Sequence, residues 1–107
     1  MLTEKQLQKS VIEYLKIHPK IAWSERFNVG AHLLINENSR RFIRYSFKGC
    51  SDILGQLKDG RFLAVEVKSA KGKVTESQQQ FIDCVNTNGG LGVVVRSIDD
   101  INNALKK

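Results

Sequence analysis

The chain has 107 residues, 41% of them hydrophobic, enough for one core and too few for two, so a single domain over residues 1–107 is expected. Its net charge of +6 favours polyanionic partners, nucleic acid before an anionic membrane surface. No apolar run reaches membrane-spanning length, the start Met1-Leu2-Thr3-Glu4 is polar where a signal peptide is apolar, and the two cysteines and two histidines lack zinc-ligand spacing. The expectation is an intracellular protein with free thiols and no membrane partner.

Leu7, Val11 and Leu15, with Ile12 and Tyr14 nearby, recur at helical spacing, and Thr3 with Gln6 makes a capping-box pair, so a helix is predicted over 3–17. His18-Pro19 ends it, because the residue before proline is pushed out of the helical region. Residues 21–47 are rich in β-branched and aromatic types around the polar stretch Asn36-Glu37-Asn38-Ser39, which predicts a hairpin of two extended runs. A second hairpin runs from Asp52 to Leu57, turns at Lys58-Asp59-Gly60 and returns from Arg61 to Ser69. Thr75 opens a second helix whose apolar side is Phe81, Ile82 and Val85, and Gly89-Gly90 stops it. Leu91 to Val95 reads as a strand buried on both faces, followed by a last helix from near Ile98. The predicted order is αββββαβα: an α/β fold whose strand, crossover helix and strand add a parallel pair to an otherwise antiparallel sheet.

Asp52 and Glu66-Val67-Lys68 join two carboxylates to a lysine in a basic chain. Carboxylate oxygens suit a hard divalent cation such as Mg²⁺, and the ammonium can steady charge on a phosphoryl group, so the set points to metal-assisted phosphate chemistry. Convergence depends on register. Side chains two apart share a strand face, which groups Phe62, Ala64, Glu66 and Lys68. A three-residue loop of Lys58, Asp59 and Gly60, with Gly60 left-handed, pairs Leu57 with Arg61 and brings Asp52 opposite Glu66; a two-residue Asp-Gly turn sends Asp52 to the other face. The three-residue loop is the reading adopted here. Helical phase then selects Glu4, in line with the buried side of the first helix, over Glu13, and Gln78 over Gln79 and Gln80. Plainer roles exist for each: Glu4 meets the helix dipole, Gln78 closes a capping box with Thr75, Asp52 serves a turn, and Glu66 with Lys68 makes an exposed ion pair. A buried acid among apolar β residues nevertheless needs a partner or a metal.

Glu4-x-x-x-Gln8, Gly49-Cys50-Ser51-Asp52, Glu66-Val67-Lys68, Gln78 three before Phe81, and Gly89-Gly90 before an apolar strand together resemble the virus-type replication-repair nuclease (VRR-NUC) domain of the PD-(D/E)XK nuclease superfamily. The likeness spans nearly the whole chain and matches the small stand-alone, phage-like form. It implies a restriction-endonuclease-like core, a mixed sheet flanked by helices, and Mg²⁺- or Mn²⁺-dependent hydrolysis of DNA phosphodiester bonds. Asp52, Glu66 and the Val67 carbonyl would bind the metal, with Glu4 supporting it through water; Lys68 would orient or activate the attacking water and Gln78 would assist. Members of this form act as homodimers on branched DNA such as four-way (Holliday) junctions and are associated with phage genomes. Ser51 departs from the pattern by standing where the superfamily has proline.

Substrate contacts are sought among the remaining cations. Arg40, Arg44 and Lys48 share a face with Phe42 and Ser46 on the run leading to Asp52, a basic ladder suited to phosphates, although such charges also protect an exposed strand. Arg26, Arg41, Lys71 and Lys73 are further candidates for DNA contact. The competing function is a nucleic-acid-binding module that keeps the fold without cleavage. It requires loss of a catalytic residue, and none is lost.

Overall fold

In the computed structural model, residues 2–27 and 48–107 are described, and they form α1 (Glu4–Ile17), β1 (Ile21–Arg26), β2 (Ile53–Leu57), β3 (Phe62–Val67), α2 (Glu76–Thr87), β4 (Leu91–Val95) and α3 (Ile98–Leu105). The helix ends follow the sequence signals. Thr3 and Thr75 each accept from the backbone N–H three residues on while Gln6 and Gln78 reach back to the cap, so both capping boxes are complete. Ser97 caps α3, and Gly89, at φ +88°, follows Asn88 at the end of α2.

The described strands form one sheet in the order β1-β2-β3-β4, antiparallel except for the parallel β3–β4 pair. The β2–β3 turn is the three-residue one: Leu57 N–H donates to the Arg61 carbonyl at 2.9 Å, Gly60 N–H donates to the Leu57 carbonyl at 2.9 Å, and Gly60 has φ +98°. The ladder therefore pairs Gln56 with Phe62 and Ile53 with Val65, and one further step sets Asp52 across from Glu66.

Each sheet face buries its own layer. Leu7, Val11 and Leu15 of α1 and Ile101 and Leu105 of α3 pack with Ile53, Leu63, Val65 and Val67 on one face. On the other, Ile82 and Val85 of α2 close over Ala64, with Leu54 and Val94 at the margin. Glu66 is on this second face, at the end of β3 that the first turn of α2 approaches.

Two features differ from the sequence reading, and a third lies partly outside the described residues. Of the hairpin expected over 21–47, the first run forms β1, paired with β2 through an irregularity between Ile21 and Trp23, while the turn at 36–39 and the second run up to residue 47 lie outside the described residues. Lys48 is in an exposed turn and not on a strand, because the chain must reverse at Gly49, φ +82°, to enter β2. Glu4 is exposed, not buried, since the first turn of α1 projects past the layer that covers Leu7.

Gly49 also abuts the start of α2, where a Cβ would run into the Ser77 carbonyl. Gly49→Ala is thus expected to lower stability by at least about 2 kcal/mol, from left-handed strain plus displacement of the helix start. Chemical denaturation measures this, and an unchanged midpoint would refute it.

Candidate active site

Glu66 is the centre of the site because it is an acid only 1% exposed in the middle of an apolar sheet. Its Oε2 accepts a 3.1 Å hydrogen bond from Gln78 Nε2 and faces Lys68 Nζ at 3.8 Å. Its Oε1 is buried and has no hydrogen-bond partner. Across the hairpin, Asp52 is 9% exposed, and its Oδ2 accepts from the Val67 N–H at 2.8 Å. That bond holds the Asp52 carboxylate against the backbone of the residue after Glu66. The sheet thus places two carboxylates side by side, one of them with an oxygen unused.

The electrostatics follow from this crowding. Burial, then the neighbouring Asp52 charge and a hydrogen bond that the two acids can share when one is protonated, push the Glu66 carboxyl up from its ordinary value to about 8; Lys68 pulls it down and Glu4 adds a small upward push. Cys50, also buried, has its thiol raised by burial and by the Glu66 and Asp52 charges. The thiol is therefore held protonated beside the site, and Cys84 is free as well.

Gln78 fills both roles open to it in the sequence. Its Oε1 accepts from the Thr75 N–H at 2.9 Å while its Nε2 donates to Glu66, so the capping box itself aims the amide at the carboxylate. Gln79 and Gln80 instead bond to Asp83 and Glu76 along the helix. Glu4 stands outside this cluster, its carboxylate over the loop at Gly72, where an added Cβ would lie 3.6 Å from Oε1. Among the cations proposed for DNA, Arg26, Lys48, Lys71 and Lys73 are exposed, and Arg40, Arg41 and Arg44 lie outside the described residues.

One contributor escaped the sequence reading. Arg96 Nη1 donates to the carbonyls of Ser69 at 2.6 Å and Gly72 at 2.7 Å, with the Ala70 carbonyl at 3.5 Å. It ties down the loop between Lys68 and α2. The available signal was topological: in a parallel β3–β4 pair the residue after Val95 emerges beside the residues after Val67, and Lys68 N–H indeed donates to the Val95 carbonyl at 3.0 Å. Arg96→Ala is expected to lower stability by about 1 kcal/mol and to speed tryptic cleavage after Lys71 and Lys73. Equal digestion rates for the variant and the wild type would remove this role.

The donor set suits a hard cation. It consists of two carboxylates, with an unpartnered buried Glu66 Oε1, and among the described residues no group of three or more His, Cys, Asp or Glu side chains is placed to hold a metal ion by itself. Mg²⁺ or Mn²⁺, which keep water in their shells, fit two carboxylates of this kind better than structural zinc does.

Comparison with known proteins agrees with the geometry. Among solved structures, a VRR_NUC domain protein superposes with a TM-score of 0.69 at 20% identity, covering 98% of this chain and 86% of the other, which shows the shared fold. No curated protein matches. The VRR-NUC domain family matches residues 2–99, a span that holds both carboxylates, Lys68, Gln78 and the sheet that gathers them, and the chain belongs to this family of nucleases.

Proposed function

We propose that the protein is a metal-dependent endonuclease that hydrolyses DNA phosphodiester bonds, acts as a homodimer and selects branched DNA such as four-way junctions. The carrying observation is the convergence of Asp52, Lys68 and Gln78 on the buried Glu66 carboxyl. Asp52, Glu66 and the Val67 carbonyl would hold Mg²⁺ or Mn²⁺, with Glu4 acting through water. Such an ion supplies Lewis acidity toward a water and a phosphoryl oxygen.

The protein's own groups account for the rest. Gln78 fixes the rotamer of Glu66 through Oε2 and so leaves Oε1 free. The Val67 N–H fixes Asp52 in the same way. Lys68, with its side chain only 12% exposed, keeps a positive charge where charge develops on the phosphoryl group, and orients the attacking water. Two equivalent sites in a homodimer suit the two-fold symmetry of a four-way junction.

The test incubates wild type with a labelled four-way junction, a linear duplex and single strands, in Mg²⁺, Mn²⁺ or EDTA. Nicking of the junction above the others, lost in EDTA, is the expected result. Binding without metal-dependent nicking, with Lys68→Ala indistinguishable from wild type, would instead establish the non-catalytic binding module.

A further inference from the structure

The outer side of α1 and the end of β1 enclose a groove of about 350 Å³, with Lys5, Lys9 and Arg26 on its rim and Ile12 and Gln8 among its lining. Lys5, Lys9 and Ile12 follow the i, i+4, i+7 spacing of one helical stripe, distinct from the Leu7, Val11 and Leu15 stripe that enters the core. Arg26 faces them from β1, opposite Ile53 in the ladder. Among the described residues no acidic side chain lines the groove, and none of the three cations has an ion pair. Three cations without an ion pair among the described residues are gathered here; within that set only Arg61 and Lys68 have one.

The position matters as much as the charge. Arg26 is followed by Phe27, whose N–H donates to the Asp52 carbonyl at 2.8 Å, so the groove reaches the end of the sheet that carries the site, on the α1 face, while the Asp52 and Glu66 carboxylates face α2. Thr3, also in the lining, caps the helix turn that carries Glu4. We infer that this groove is a phosphate-backbone track, which holds the DNA strand on the α1–β1 side of the site. Resting on the nuclease reading above, the inference gives that reading a direction. Substrate approaches the sheet end that carries Asp52 from the α1 side.

Charge complementarity selects the occupant. Two lysines on adjacent helical turns stand about 6 Å apart, comparable to the spacing of successive phosphates along a strand, and lysine is a point-charge phosphate binder without sequence preference. The contacts therefore fix position and not base identity. Each phosphate neutralised should add close to one unit to the dependence of log affinity on log salt.

The experiment measures binding of a fluorescent four-way junction and of a duplex in EDTA over a range of salt concentrations, for wild type, Lys5→Ala/Lys9→Ala and Lys106→Ala/Lys107→Ala. The two doubles remove equal charge, but Lys106 and Lys107 follow α3, whose Leu105 carbonyl contacts Lys20 beyond the far end of α1. The track predicts roughly tenfold or greater loss of affinity and a salt slope shallower by about two for the Lys5/Lys9 double only. Equal effects from both doubles, or no effect from the Lys5/Lys9 double, overturn the track while leaving the nuclease reading intact. Absence of DNA binding by wild type in EDTA overturns the track, while the nuclease reading stands or falls on metal-dependent nicking of the junction.

Discussion

Lys68→Ala is expected to slow junction cleavage by on the order of 10² to 10⁴, the range set by removal of a positioned electrostatic or proton-handling group. Lys68 Nζ is the cation paired with Glu66, and the lysine follows the end of β3, where Lys68 N–H donates to the Val95 carbonyl. Its position is thus set by the sheet and not by a mobile loop. Lys68→Arg is expected to recover only a small part of the loss, because a planar guanidinium cannot replace a compact ammonium at this short reach. Single-turnover cleavage at saturating protein separates the chemical step from binding. Lys68→Ala cleaving at the wild-type rate would remove the lysine from the chemistry.

The second large effect is on stability. Glu66→Gln should make the cation-free protein more stable than wild type at pH 8, by roughly 4 kcal/mol if the amide keeps the carboxyl's packing. The sign follows from proton counting. Glu66 is held at about 8 in the folded protein, chiefly by burial and by Asp52, against an ordinary value of 4.5, so the folded state binds more protons through that window. Stability from this group is fully present below about 4.5 and is lost as pH rises through 8. The advantage of the glutamine variant should accordingly shrink as pH falls toward 5. Mn²⁺ or Mg²⁺ should raise the wild-type melting temperature most at alkaline pH, where protons compete least, and should raise that of Glu66→Gln much less. A glutamine variant less stable than wild type at every pH would show that Glu66 is satisfied without a cation.

Much of the arrangement was readable from local patterns. Thr3 with Gln6 and Thr75 with Gln78 announce helix starts through side chains that bond within one turn, and His18-Pro19 announces an end. The hairpin carried its register in three residues, since Gly60 adopts the left-handed conformation that makes the loop one residue longer than an Asp-Gly turn. Given that register, the placement of Asp52 against Glu66 and Val67 follows from strand alternation. Glu4 was placed in the right turn but on the wrong side of the burial boundary, because periodicity gives direction around a helix and not the reach of the layer beneath it.

Long-range contacts were not written in any local pattern. Arg96 is twenty-four residues from Gly72, and only the parallel pairing of β3 with β4 brings its guanidinium onto the 69–72 carbonyls. The groove needs a helix and a strand to meet, so Lys5 and Lys9 were mute until Arg26 stood opposite them. The burial that drives Glu66 to about 8 likewise depends on α2 closing one face and on Asp52 arriving from the neighbouring strand. Residue types, helix phase and turn chemistry therefore specified that Asp52, Lys68 and Gln78 converge on Glu66, since that depends on neighbours a few positions away. How deeply they are buried, which oxygen is left unpaired and where cations collect came from packing between distant segments, whose desolvation and approach only the assembled fold determines.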